Sequence, residues 1–151
     1  MLAPREKALN ARTGEPLWRF SFAKAGAKGG INAAIVKHGN NLIALHESEN
    51  LDSSEIGRMA AFKIPDSVTP SNAFTPQVLE GKDLEVWRNG VGSLASSPVV
   101  VGDKVVIGSD DGQVYALDAA TGKAIWAVPT QSQVEAALVS DQDIIYAASR
   151  D

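Results

Sequence analysis

The sequence predicts an all-β fold of short antiparallel strands grouped in fours, and three observations carry that prediction. Hairpin signals recur along the whole chain, helical periodicity is nowhere sustained, and two different hairpin units each return at fixed spacing. Gly, Pro and Asn punctuate the sequence too often for long helices.

The first unit is "KALNARTGEPLW" (residues 7–18), which returns as "YALDAATGKAIW" (115–126), 108 residues further on. The shared positions have mechanical reasons. Asn10 and Asp118 carry a side-chain oxygen that can accept backbone N–H groups inside the turn, an Asx-type closure. Gly14 and Gly122 supply the positive φ with which the turn re-enters its strand. Trp18 and Trp126 offer a large flat ring to a neighbouring sheet, and both are expected to be largely buried.

The second unit is "SPVVVGDKVVIGSDDG" (97–112): an apolar strand, a tight turn and another apolar strand. It aligns without gaps on "AIVKHGNNLIALHESE" (34–49) and, at an offset of 39, on "AALVSDQDIIYAASRD" (136–151). Gly-Asp, Gly-Asn and Asp-Gln mark the turns. Naming the strands of one period A to D, the chain reads as C–D, A–B–C–D, A–B–C–D, A–B. One period is about 40 residues, the spacing of β-propeller blades. The expected organisation is one partial propeller domain over 1–151, about three blades' worth: an outer half-blade (7–22), a blade with insertions (31–88), a second blade (95–128) and an inner half-blade (134–151). The extra residues fall in "HESENLDSSEIGR" (46–58) and "PDSVTPSNAFTPQVLEGKD" (65–83); within them, 47–56 and 65–83 lack a period-two pattern and are expected to be the least regular parts.

Bulk composition narrows the partners. A formal charge of −4 and a pI near 5.1 argue against nucleic acid and anionic membrane, which select basic surfaces. No run approaches the roughly 18 apolar residues of a membrane span, and "MLAPREKALN" has no apolar stretch of the secretory-signal kind. With no cysteine, disulfides, thiolate metal sites and Cys nucleophiles are excluded.

The stretch "GSDDGQVYALDAATGKAIW" (108–126) resembles the repeat of pyrroloquinoline-quinone-type β-propellers, whose Ala-x-Asp-x-x-x-Gly-x-x-x-Trp segment is the tryptophan docking motif. Ala116, Asp118, Gly122 and Trp126 fit it, and Ala8, Asn10, Gly14 and Trp18 fit with Asn for Asp. A middle copy is degenerate: Ala61 and Trp87 remain, but Lys63 stands where Asp belongs and the turn gives way to the insertion. The resemblance covers nearly the whole chain and implies a periplasmic or extracytoplasmic location. Members of the family include quinoprotein dehydrogenases and a lipoprotein scaffold of outer-membrane protein assembly. The dehydrogenases need a closed ring around the quinone, a Ca²⁺, an Asp base and a vicinal Cys pair, so their catalytic residues carry over to no position here.

Local features add little chemistry. His46, Glu47, Glu49, Asp52 and Glu55 crowd one loop and are candidate divalent-cation ligands, but their spacing matches no calcium loop, and a solvated acidic loop is the preferred reading. "SDDG" (109–112) falls where a B–C turn is required, and His38 heads a hairpin turn, expected exposed and without an acid–base partner. No Ser-His-Asp order, phosphate loop or HExxH occurs. The expectation is a non-catalytic binding or scaffold segment without cofactor, contacting a protein partner, the remaining blades of its own propeller, or a second copy that closes a ring. The alternative is a fragment of a quinone-dependent dehydrogenase.

Overall fold

The computed structural model describes residues 5–24, 33–69, 74–93 and 95–150. Strands β1 (Arg5–Leu9) and β2 (Pro16–Ser21) form the first hairpin, followed by β3 (Val36–His38), β4 (Asn41–Glu49) and β5 (Ile56–Lys63). After β6 (Gln77–Glu80) comes the single helical turn α1 (Gly81–Leu84), then β7 (Glu85–Asn89), β8 (Val99–Val101), β9 (Lys104–Gly108), β10 (Gln113–Asp118) and β11 (Ala124–Pro129). The short strands β12 (Val139–Asp141) and β13 (Ile144–Tyr146) close the series. Two sheets are four-stranded and antiparallel, β3-β4-β5-β7 and β8-β9-β10-β11. They are flanked by the sheet β1-β2-β6 and the two-stranded β12-β13. This is the all-β architecture of four-stranded blades that the repeats predict.

The repeated hairpins share their fine structure. Ala8 pairs with Trp18 and Ala116 with Trp126, and each ladder is interrupted at the next residue. The turn chemistry explains the interruption. Asn10 Oδ1 accepts the N–H groups of Arg12 (2.9 Å) and Thr13 (3.3 Å), and Asp118 Oδ1 accepts those of Ala120 (3.0 Å) and Thr121 (2.8 Å). Gly14 and Gly122 then turn the chain back at φ +75° and +69°.

Three apolar cores lie between successive sheets. Strand alternation divides β4 and β5 between two of them. Ala44, Ala60 and Phe62 face Trp18, Phe20 and Phe22, whereas Ile43, Leu45, Met59, Ala61 and Trp87 face Val105, Ile107 and Leu117. Val106, Val114 and Ala116 use the other side of the third sheet to cover Val134 and Leu138. Each buried Phe or Ile removes enough apolar surface from water to contribute about 1.5–3 kcal/mol.

The structure corrects four expectations. The 65–83 insertion is not irregular throughout: Gln77–Glu80 pairs in parallel with β2, Trp18 opposite Gln77 to Ser21 opposite Glu80. β2 would otherwise present an open outer edge, and the insertion covers it. Its close approach depends on Gly81, where a Cβ would fall 2.3 Å from the Ser21 carbonyl oxygen. Of this insertion, 70–73 lie outside the described residues. Secondly, the last hairpin turns at Gln142–Asp143, one residue later than the gapless alignment places it, with Gln142 at φ +52°. Its offset from the Gly102–Asp103 turn is therefore 40, and the one-residue slip exchanges the two faces of β13. Thirdly, Trp126 is not buried: β11 is exposed along its length, since no described residue follows it on that face. Fourthly, His38 is half-buried, with Nε2 3.6 Å from Asp103 Oδ1 in the next sheet.

Candidate functional site

The side chains expected to crowd one acidic loop are separated by the strands that carry them. β4 runs on to Glu49, so His46 is a buried strand residue whose ring meets Phe22 edge-on at 4.9 Å. Glu47 is half-buried on the same strand. Glu49 pairs with Lys24 (2.6 Å), and Glu55 supplies its backbone carbonyl to Asn50 N–H (3.0 Å) and Asn50 Nδ2 (3.0 Å), closing the 50–55 loop. Among the described residues no group of three or more His, Asp or Glu side chains converges as a metal site would require.

What the loop does build is a clamp around Asp52. Its Oδ1 accepts Arg58 Nη2 at 2.6 Å and its Oδ2 accepts Arg88 Nη1. Arg58 is buried and donates Nε to Asn50 Oδ1 at 2.9 Å, while Arg88 donates Nε to Glu85 Oε1 at 2.5 Å. The hydrogen bond from Arg58, then that from Arg88, holds the Asp52 carboxyl at about 2, below its ordinary 3.8, against the opposing effect of burial. For Arg88, burial works against the charge, but the bonds to Asp52 and Glu85 outweigh it and raise its pKa. Two guanidinium groups and two carboxylates thus form a neutral network at one end of the second sheet.

Beside this network lies a polar cavity of about 240 Å³, lined by Asn50, Asp52, Arg58 and Arg88 together with Asn89 and Gly90. The last two also border a second, more open hollow of about 500 Å³ that reaches Ser109, Asp110, Asp111 and Tyr115. Tyr115 donates its hydroxyl to Asp111 Oδ2 (2.6 Å), which raises its pKa above the usual phenol value, and accepts Gln113 Nε2 (3.0 Å). The two hollows meet at Asn89 and Gly90 and together form a groove across the ends of two neighbouring sheets, its walls part polar and part apolar. It offers fixed charges and hydrogen-bond groups to a ligand. Of its carboxylates, Asp52 is engaged with Arg58 and Arg88, and Asp111 with the Tyr115 hydroxyl.

Sequence reasoning singled out Asp52 but missed Asn50, Arg58, Arg88 and Asn89. One signal was available: Arg58 opens the apolar run "RMAAF" in a strand, where a lone charge needs a partner. The docking residues lie elsewhere. Trp18 is buried and stacks on Phe20 at 5.7 Å, and Trp87, from the degenerate copy, meets the next sheet's turn through Nε1 donated to the Ala119 carbonyl at 3.0 Å.

Stacked four-stranded antiparallel sheets with cores between consecutive sheets define a β-propeller, here in part. Comparison with known proteins agrees. Residues 77–151 match the family model described as outer membrane protein assembly factor BamB. The chain is 35% identical over 79 residues to the outer membrane protein assembly factor BamB of Burkholderia pseudomallei, covering 50% of this chain and 20% of that protein. It is 27% identical over 141 residues to the serine/threonine-protein kinase AfsK of Streptomyces griseus, covering 90% of this chain and 15% of that protein. The crystal structure of BamB from Moraxella catarrhalis superposes with a TM-score of 0.66 at 21% identity, covering 97% of this chain and 38% of that one. The chain is a partial PQQ-like repeat β-propeller protein. It spans a fifth or less of the curated relatives it matches.

Proposed function

We propose that this chain is a non-catalytic scaffold segment of an extracytoplasmic propeller, and that the groove running from Asp52 to Tyr115 receives a protein partner. The observation that carries the reading is the Asp52–Arg58–Arg88 network, which holds an insertion loop as one wall of that groove. Two relatives support it. One is named an assembly factor and the other a kinase, and a module shared by such different proteins is better suited to holding partners than to one reaction.

The alternative, a fragment of a quinone-dependent dehydrogenase, has less support in these residues. The two carboxylates nearest the would-be cation loop, Glu49 and Asp52, are paired to Lys24 and to Arg58 and Arg88. The experiment is site-specific photo-crosslinking from Ser53 and Asp111, within the full-length protein in its native cell envelope. The expected result is a discrete protein adduct from both positions, lost in Arg88→Ala. No protein adduct from either position, together with saturable uptake of pyrroloquinoline quinone and Ca²⁺ followed by absorbance, would overturn the scaffold reading in favour of the enzyme.

A further inference from the structure

We draw no further inference here: the strongest candidate, the apolar cavity of about 400 Å³ between the β1–β2 hairpin and the β3–β4 hairpin, lined by Ala8, Trp18, Val36, Leu42 and Ile64, carries none because nothing in the structure shows what covers it.

Discussion

Trp87 lies flat over Gly122, so close that a Cβ on the glycine would come within 2.4 Å of the indole ring, while Nε1 donates to the Ala119 carbonyl at 3.0 Å. One residue thereby joins two blades by apolar packing and a directed hydrogen bond. The glycine answers two demands at once, since its φ of +69° closes the Asp118 turn and its missing side chain admits the ring.

The two turns separate these demands. Gly14→Ala meets only the backbone cost of positive φ, about 1–2 kcal/mol, because nothing lies within 4 Å of the new methyl group. Gly122→Ala meets the same cost and displaces Trp87 as well, an overpacking penalty of about 1–3 kcal/mol more. Urea denaturation of both variants checks this. Equal losses would show that the indole is not confined by Gly122.

Trp87 itself divides into packing and hydrogen bond. Trp87→Phe keeps an aromatic ring in the core and gives up the donor to Ala119, for a loss of about 0.5–1.5 kcal/mol. Trp87→Ala empties the site between the second and third sheets, for about 3–5 kcal/mol. The midpoint and slope of denaturant unfolding distinguish the two, and a Phe variant as damaged as the Ala variant would count against the packing assignment.

The Asp52 network gives a pH dependence of fixed sign. Its folded pKa of about 2 lies below the ordinary 3.8, so the contribution is fully present above the unfolded value and fades as pH falls from about 5 toward 2. Asp52→Asn is expected to lose about 1–2 kcal/mol at neutral pH, less than for a fully buried pair because the carboxylate is half exposed, and to show a flatter stability profile below pH 5. A variant whose acid limb parallels the wild type would remove Asp52 from the role of charge partner.

These residues also mark where the sequence could and could not be read. The Asn10 and Asp118 turns were legible because their hydrogen bonds span two or three residues and depend on side-chain type alone. The Asp52 clamp was not, since Arg88 reaches it from 36 positions away, across a strand and an insertion. The last hairpin was misplaced because "DQD" offers two adjacent turn centres, and the structure gives the positive φ to Gln142, a residue type that sequence reasoning does not favour there. Burial of Trp126 was inferred from the motif, but a docking ring is buried only when a following turn is present to receive it. Trp87 has one, in Asp118–Gly122.

The insertion strand supplies the last prediction. β6 was hidden in the sequence because "QVLE" is too short to show alternation, and it is held by its parallel pairing to β2 more than by its own side chains, with Val78 61% exposed. Gly81 sets how closely that strand can lie, its Cβ position falling 2.3 Å from the Ser21 carbonyl oxygen. The obstacle is backbone, which cannot swing aside as a flexible side chain would. Gly81→Ala is therefore expected to push β6 off the edge of β2 and to cost about 1–3 kcal/mol. Gly90→Ala, with open space around the new methyl group, is the control and should be nearly neutral. Hydrogen exchange gives the local readout: amides that join β2 to β6 should lose protection in Gly81→Ala while those between β1 and β2 keep theirs. Unchanged protection across Trp18–Ser21 would mean that the glycine does not hold the insertion against the sheet.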